Sequence, residues 1–303
     1  MAASDVLFIS LDSCRFDTFA TAHSQGALPH FAAIGPLHQA LAPSYFTYAS
    51  HAAFWMGFTP GVIGSSEPWL NPKAGKLFRM AFAGHAGQDG EQNFRLEGAN
   101  IIDGFRRQGY CTIGSGAVDW FNTASDTGAV LAQPFEHFHF AGNTWSLGAQ
   151  LLWIEERLAQ VPESQPRFVF LNVGETHVPY WHEGADWERW PSPCVPFGSE
   201  HCSAVESARR QRACLEWVDQ QVAPLLNRFA AGTVFVCADH GDCWGEDGLW
   251  EHGISHPKTL TVPLLLRVRG QPIHASEQGL RQRLRSRLRR WWPWTGDRLG
   301  RPQ

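Results

Sequence analysis

The most chemically specific segment of the sequence is Asp239-His240-Gly241, which directly follows the apolar run Thr233 to Cys237. The aspartate and the histidine offer one oxygen and one nitrogen ligand to a divalent cation, and Gly241 lets the backbone turn away without a side chain. Taken alone, such a triplet is more simply explained as a capping aspartate beside a surface histidine. A metal site therefore needs support from other parts of the chain.

Two further apolar runs end in polar residues in the same way. Val6 to Leu11 ends at Asp12, and Phe168 to Val173 runs into Glu175-Thr176-His177. Continuous apolar runs are typical of buried parallel strands, and ligands collect at the carboxyl ends of such strands. We therefore expect Asp12 to meet the Asp239-His240 pair at one edge of a sheet and to bind a divalent metal with it.

Two hydroxyl groups, on Thr47 and Ser50, lie at or just before a helical apolar stretch. Free N–H groups and the helix dipole favour an anion or an ionised hydroxyl at a helix N-terminus, although either side chain could simply cap the helix. A hydroxyl is a weak nucleophile at neutral pH unless a base or a metal lowers its pKa. The metal predicted at Asp12, Asp239 and His240 would supply that activation for Thr47.

The elements that must position these residues alternate between strand and helix. Helices are predicted over Ala99 to Gln108 and Ser207 to Phe229, between the three apolar strands. This alternation predicts an α/β fold, a three-layer α/β/α sandwich around a largely parallel sheet. The chain has 303 residues, 44% of them hydrophobic, which is enough for one full core. We assign residues 1–275 to this domain and residues 276–303 to a tail.

Composition limits where the protein works and what it binds. The net charge of -4 gives no overall basic field, so no nucleic-acid partner is expected. The seven cysteines form an odd set without a C-x-x-C pair, which favours reduced thiols. No leader-like segment precedes the Val6 strand, and no stretch reaches the length of a membrane span. We expect a soluble, cytoplasmic protein.

The tail carries an arginine-rich segment over residues 279–292, in which leucines and a tryptophan recur every four residues at Leu280, Leu284, Leu288 and Trp292. This spacing predicts an amphipathic helix with a basic face. Such a helix could contact a membrane surface, a protein or a nucleic acid, or it could dock on its own domain with the arginines solvated.

Several segments resemble the sulfatases and their relatives in the alkaline phosphatase superfamily. The opening Phe8-Ile9-Ser10-Leu11-Asp12-Ser13-Cys14-Arg15-Phe16-Asp17 resembles the family's first metal-ligand strand, and Thr47 falls at its nucleophile position. Gly109-Tyr110-Cys111-Thr112 resembles its Gly-Tyr-x-Thr strand, and Val262 to Arg267 resembles the strand after Asp-His-Gly. The likeness covers residues 5 to 270 in order. It implies an alkaline phosphatase-like fold with four metal ligands, Asp12, Thr47, Asp239 and His240.

Within this superfamily the nucleophile segment separates two branches. Sulfatases need a cysteine or serine followed by x-Pro-x-Arg to form formylglycine, and this chain has Thr47-Tyr48-Ala49-Ser50-His51 instead. A metal-bound threonine is used by phosphoethanolamine transferases, lipoteichoic acid synthases and nucleotide pyrophosphatases. In the transferases a second histidine follows a Gly-Glu-x-Gly turn, where His252 stands here. The segment from Glu175 to Tyr180 resembles one that brings another imidazole, here His177, to the phosphate.

The resemblance implies a metal-dependent phosphoester hydrolase or phosphotransferase that forms a phosphothreonine at Thr47. Its substrate would be a phosphomonoester, phosphodiester or phosphonate on a small molecule or a peptide. His177 and His252 would contact the phosphoryl oxygens, protonate the leaving alkoxide or hold a second metal. Zinc suits a site of mixed oxygen and nitrogen ligands, with manganese or calcium as alternatives. Two other functions stay open: a sulfate-ester hydrolase that uses unmodified Thr47, and a catalytically idle binding scaffold.

Overall fold

A computed structural model of the chain describes residues 4–57 and 100–274. The predicted arginine-rich helix and the tail over residues 276–303 lie outside the described residues, so both stay predictions. Within the described residues, no helix is long and apolar enough to cross a membrane.

In the part of the chain that the structure describes, ten strands form one large sheet and one small hairpin. In chain order they are β1 Val6–Leu11, β2 His38–Leu41, β3 Cys111–Gly116, β4 His137–Phe140, β5 Arg167–Val173, β6 Thr233–Ala238, β7 Cys243–Trp244, β8 Trp250–Glu251, β9 Thr261–Val268 and β10 Gln271–Pro272. The large sheet has the order β10-β9-β6-β1-β5-β3-β4, and β2 pairs with β9. Strands β6, β1, β5, β3 and β4 are parallel, whereas β9 runs antiparallel to β6. The predicted largely parallel sheet is therefore confirmed.

Strand β1 lies at the centre of this sheet, between β5 and β6. Its last residue, Leu11, is paired with Val173 on one side and with Ala238 on the other. The register therefore brings Asp12 and Asp239, which follow directly, to the same level of the carboxyl edge. Residues of β1 and β5 are buried on both faces of the sheet, which explains why the strands are apolar runs rather than alternating patterns.

Nine helices cover the two faces of the sheet within the described residues. They are α1 Phe16–Ser24, α2 Pro29–Ala32, α3 Thr47–Met56, α4 Ile101–Arg107, α5 Asp126–Ala132, α6 Leu147–Leu158, α7 Ala204–Gln221, α8 Ala223–Arg228 and α9 Pro257–Leu260. Helix α3 contacts α4 and α5 on one face, and α7 contacts α1 and α6 on the other. The predicted three-layer α/β/α sandwich is confirmed.

The predicted helix over Ser207 to Phe229 is two helices, and in this respect the prediction was wrong. Helix α7 ends at Gln221 and α8 begins at Ala223, with Pro224 in its first turn. Proline has no N–H group to donate to the preceding turn, and its ring clashes with the carbonyl of that turn. The chain therefore starts a new helix at the proline rather than continuing the old one.

Helix α3 is held on the sheet by aromatic packing. The Trp55 ring lies 4.8 Å from that of Phe170 in β5 and 6.1 Å from that of Phe8 in β1, at nearly perpendicular angles. Such edge-to-face contacts add to the stabilisation that burial of the rings provides. The helix ends at Gly57, which takes a left-handed φ of 73° and donates its N–H to Ala53. These contacts set the position of the other end of α3, where Thr47 lies.

We expect Trp55→Ala to lower the free energy of unfolding by roughly 3–5 kcal/mol, because it leaves a large cavity between α3 and the sheet. Urea denaturation followed by circular dichroism measures this change. Leu152→Ala is the matched control, since Leu152 is 70% exposed and its loss should change stability by less than about 0.5 kcal/mol. Equal stability of the two variants would show that α3 is not anchored through Trp55.

Candidate active site

The residues predicted to bind a metal lie together at the carboxyl edge of the sheet. Asp12, Asp239 and His240 are completely buried, and Thr47 is buried beside them. His240 Nε2 lies 3.8 Å from Asp12 Oδ1, 3.6 Å from Asp239 Oδ2 and 3.3 Å from Thr47 Oγ1. Four groups from three separate parts of the chain therefore surround one point.

One carboxylate oxygen of this cluster, Oδ2 of Asp239, lacks a hydrogen-bond donor among the described residues. Asp239 Oδ1 accepts hydrogen bonds from the N–H groups of Ser13 and His240, at 3.2 and 2.9 Å, but Asp239 Oδ2 is buried and has no hydrogen bond to any residue that the structure describes. Burial and the nearby charge of Asp12 raise the pKa of Asp239 well above its usual range. Because an unpaired buried carboxylate is costly, this arrangement calls for a cation.

The imidazole of His240 is prepared to act as a ligand. Its Nδ1–H donates a hydrogen bond of 3.1 Å to the carbonyl oxygen of Gly241, so the lone pair on Nε2 faces the cluster. Burial lowers the pKa of His240 to about 3, so the ring is neutral. Two carboxylates, a hydroxyl and a neutral imidazole are a donor set that fits zinc or a similar divalent ion.

Thr47 is not a helix cap in this structure. It is the first residue of α3, and Phe46, in extended conformation, is the N-cap residue without a side-chain hydrogen bond. The hydroxyl of Ser50, the other candidate, lies 2.7 Å from the carbonyl oxygen of Asp239 and 3.2 Å from that of Ser44. Ser50 thus joins α3 to the end of β6. Of these two hydroxyls it is that of Thr47 that faces the cluster, which favours Thr47 as the nucleophile.

A buried histidine that the sequence analysis did not single out supports Thr47 from behind. His51 lies one helical turn further along α3, with Nδ1 2.8 Å from the carbonyl oxygen of Thr47 and Nε2 3.0 Å from Ser10 Oγ. Burial lowers the pKa of His51 to about 4, so the ring bridges helix and strand in its neutral form. The only sequence signal was its i+4 spacing from Thr47.

His252, one of the two predicted catalytic histidines, is paired with a carboxylate. Its Nδ1 lies 2.8 Å from Asp242 Oδ1, and the other oxygen of Asp242 accepts a 2.6 Å hydrogen bond from Tyr180. Burial opposes the charged imidazole, but the hydrogen bond and charge of Asp242 outweigh this and raise the pKa of His252 to about 9. Asp242 was missed as a site residue, although it follows His240 by two positions.

The other predicted catalytic histidine, His177, lies next to His252. The ring centroids of His177 and His252 are 5.1 Å apart, and those of His252 and His240 are 4.5 Å apart. The ring of His252 therefore contacts both of the other imidazoles. His177 Nδ1 donates to the carbonyl of Val178 at 2.8 Å, which leaves Nε2 as its other polar atom. A second metal at His177 and His252 stays a prediction. The nearby set that also has the spacing for a metal is His240, Asp242 and His252.

The loops that carry these residues are tied together by Arg15. Its guanidinium pairs with Asp17 at 2.6 Å and Glu246 at 2.8 Å, and it lies 4.0 Å above the Trp244 ring. It also donates to the carbonyl oxygen of Asp242 at 3.2 Å. Arg15 therefore cross-links the loop after β1, which carries Asp12, to the loop after β6, which carries Asp242.

The sequence matches no protein-family model and no curated protein sequence. Solved structures do resemble it. The lipooligosaccharide phosphoethanolamine transferase A of Neisseria meningitidis, an integral membrane protein, superposes with a TM-score of 0.58 at 14% identity over 89% of this chain. A protein in the alkaline phosphatase superfamily from Vibrio parahaemolyticus gives 0.51 at 13% identity, again over 89%. This chain has the alkaline phosphatase-like fold.

The phosphonate monoester hydrolase of Agrobacterium radiobacter has the same fold, with a TM-score of 0.58 at 13% identity over 90% of this chain. The predicted alkaline phosphatase-like fold is therefore confirmed. This chain spans 48% of the Neisseria transferase, 62% of the Vibrio protein and 70% of the Agrobacterium hydrolase.

We expect Asp239→Asn to lose bound divalent metal, because it removes the charge of the unpaired buried oxygen. Elemental analysis of the purified protein should show metal content at least tenfold below that of the unchanged protein, with the same circular dichroism spectrum. Asp103→Asn is the control, because Asp103 lies in α4 at the other end of β3 and is partly exposed. Full occupancy in the Asp239 variant would contradict the metal site.

Proposed function

We propose that this protein is a metal-dependent phosphoester hydrolase or phosphotransferase, acting on a phosphomonoester, a phosphodiester or a phosphonate. The single observation that carries this proposal is the Thr47 hydroxyl, 3.3 Å from His240 Nε2 within a buried cluster of two carboxylates. The fold supports it, since two structural neighbours are named as a phosphoethanolamine transferase and a phosphonate monoester hydrolase.

Asp12, Thr47, Asp239 and His240 would hold the metal, which we propose to be zinc, with manganese or calcium as alternatives. A divalent cation there lowers the pKa of the Thr47 hydroxyl and compensates the buried carboxylates. His240 contributes its neutral Nε2, because its Nδ1 proton is held by the Gly241 carbonyl. Oδ2 of Asp239, which has no hydrogen bond to the described residues, would bind the same cation.

In the proposed reaction the Thr47 hydroxyl would first release its proton to solvent. Its Oγ1 then forms a bond to phosphorus while the bond to the leaving oxygen breaks on the opposite side and that oxygen takes a proton from His252. Thr47 lies at the N-terminus of α3, where the helix dipole favours the negative charge that the phosphoryl group carries. The product is an alcohol and a phosphothreonine. Water or an acceptor alcohol then attacks the same phosphorus and gives its proton to the now neutral His252. The bond from phosphorus to Thr47 Oγ1 breaks, which returns both side chains to the state in which the attack began.

His252 is the group we assign to protonate the leaving alkoxide. Asp242 holds its Nδ1, so Nε2 is the atom that carries the transferable proton. Both oxygens of Asp242 already accept hydrogen bonds, from His252 and from Tyr180. This favours an aspartate-histidine pair over a second metal at Asp242. His177, beside His252, would contact a phosphoryl oxygen through Nε2.

We further propose that the protein works in the cytoplasm on a small-molecule or peptide-borne phosphoester. All seven cysteines are free in the structure, and free thiols are typical of a reducing compartment. Contacts of the arginine-rich segment over residues 279–292 with a membrane surface or a protein remain part of the proposal and rest on the sequence alone.

Replacing the nucleophile tests this function. Thr47→Ala should retain bound metal but lose at least about three orders of magnitude in kcat for an aryl phosphate, because it removes the hydroxyl that lies beside His240 Nε2 in the cluster. Thr47→Ser should keep part of the activity. Ser24→Ala, which removes an exposed hydroxyl in α1, should behave like the unchanged protein.

Mass spectrometry of quenched turnover should find phosphate on the peptide that contains Thr47. A Thr47→Ala variant within tenfold of the unchanged protein would remove Thr47 from the mechanism. Faster turnover of an aryl sulfate than of the matching phosphate would instead indicate a sulfate-ester hydrolase, and no turnover of either would favour an idle scaffold.

The role of His252 predicts a dependence on the leaving group. His252→Gln and Asp242→Asn should each slow hydrolysis of an alkyl phosphate at least tenfold more than hydrolysis of 4-nitrophenyl phosphate, since nitrophenolate leaves without a proton. Steady-state kcat values for the two substrates measure this. Asp247→Asn is the control, because Asp247 is exposed and pairs with His256. An equal loss on both substrates would assign His252 to binding rather than to proton transfer.

A further inference from the structure

The side chain of Arg189 occupies a corner formed by two tryptophan rings. Its guanidinium carbon lies 4.8 Å from the ring centroid of Trp145 and 4.7 Å from that of Trp181. The two rings meet at 83°, with their centroids 6.2 Å apart. Cation–π contacts with both rings restrict the orientation of the guanidinium. These contacts use the faces of the rings and do not occupy the guanidinium N–H groups, which can still donate hydrogen bonds.

Among the described residues, Arg189 makes no hydrogen bond and no ion pair with protein groups. Arg209 provides a comparison, since it lies 4.7 Å from the Trp187 ring centroid in a similar contact. Arg209 is also paired with Glu206 at 2.8 Å and with Asp186 at 3.8 Å. A guanidinium normally satisfies its five donors with such partners. The positively charged N–H groups of Arg189 are therefore oriented by the two rings and available to bind an anion.

The corner lies at the same edge of the sheet as the proposed active site. Trp181 follows His177 by four residues after β5. Trp145 lies two residues before α6, whose first amide, that of Leu147, donates to Glu175 Oε1 at 2.9 Å. Both tryptophans therefore belong to segments that leave the sheet at its carboxyl edge, after β4 and after β5.

The two residues before Arg189 are held in place by hydrogen bonds to other segments of the chain. The Trp187 indole N–H donates to the carbonyl oxygen of Tyr180 at 3.0 Å, and Arg210 donates to the carbonyl oxygen of Glu188 at 3.0 Å. Tyr180 in turn donates to Asp242 of the proposed site. Because the backbone beside Arg189 is already anchored, an anion that binds there causes little further ordering.

We propose that Arg189, held by Trp145 and Trp181, binds a second oxyanion on the alcohol portion of the phosphoester substrate. This inference rests on the proposed function and narrows it to esters of alcohols that carry a phosphate or a carboxylate. A guanidinium binds either group through paired N–H donors, with charge assistance. It repels an alcohol that carries an ammonium group, such as ethanolamine.

The test compares substrates that differ only in the second anion. Phosphate release is measured for α,ω-alkanediol bisphosphates of two to eight carbons, for the matching alkyl monophosphates, and for ω-carboxyalkyl phosphates. The unchanged protein should prefer a bisphosphate or a carboxylate of one chain length over the monophosphate by at least tenfold in kcat/KM, and the better of the two series identifies the anion.

Arg189→Ala should reduce this preference at least tenfold, mainly through KM, and Arg189→Lys should restore part of it. Arg209→Ala should keep the preference of the unchanged protein, because its guanidinium is already paired. A preference that survives in Arg189→Ala, or that is absent from the unchanged protein, would overturn the inference.

Calorimetry separates failure of this inference from failure of the proposed function. A non-hydrolysable alkane-α,ω-bisphosphonate of the same chain lengths should bind the metal-loaded unchanged protein at least tenfold more tightly than it binds Arg189→Ala. If no phosphate ester is hydrolysed but this difference is found, the proposed reaction fails and the anion site stands. Equal binding by the two proteins would overturn the anion site, whatever the activity.

Discussion

The structure depends on a pair of carboxylates, Asp12 and Asp239, that are buried side by side. Parallel pairing of β1 with β6 brings the ends of the two strands to the same level, so neither side chain can withdraw to solvent. Leaving a buried charge without compensation costs about 3–5 kcal/mol. The backbone amides around Asp239 supply part of the compensation, but one oxygen remains unpaired. We propose a divalent cation as the counterpart, and the chemistry we propose at Thr47 would depend on it.

The surrounding groups keep these carboxylates and their neighbours in place. Asn172 donates to Asp12 Oδ2 at 3.3 Å, and the Thr176 hydroxyl donates to the Asp12 carbonyl oxygen at 2.6 Å. On the other side, Tyr180 receives a 2.8 Å hydrogen bond from the Trp244 indole and donates to Asp242. Each link joins segments at or beyond the carboxyl ends of different strands of the sheet. The site is therefore preorganised by hydrogen bonds between loops rather than by any single element.

Part of this arrangement could be predicted because strands that are buried on both faces are continuous apolar runs, and the polar residues that end them stand out. Asp12, His177, Asp239 and His240 were predicted as site residues in this way, and the helix that begins at Thr47 was predicted from the apolar stretch after it. His51 and Asp242 were missed because their importance comes from partners distant in sequence: Ser10 for His51, and Tyr180 for Asp242. The break at Pro224 was a local signal that outweighed the apolar spacing of the longer predicted helix.

The sequence by itself determined the layered α/β architecture and the residues that stand at the ends of its strands, since both follow from local patterns of apolar and polar side chains. Only the tertiary structure decided which of those residues meet. The register of β1 against β6 placed two carboxylates together, and the docking of α3 turned the Thr47 hydroxyl, rather than that of Ser50, towards His240. Likewise, an acidic residue stands three positions before both arginines, Asp186 before Arg189 and Glu206 before Arg209, and only within helix α7 does this spacing form an ion pair. Their difference arises because folding places carboxylates beside Arg209, and two indole rings beside Arg189.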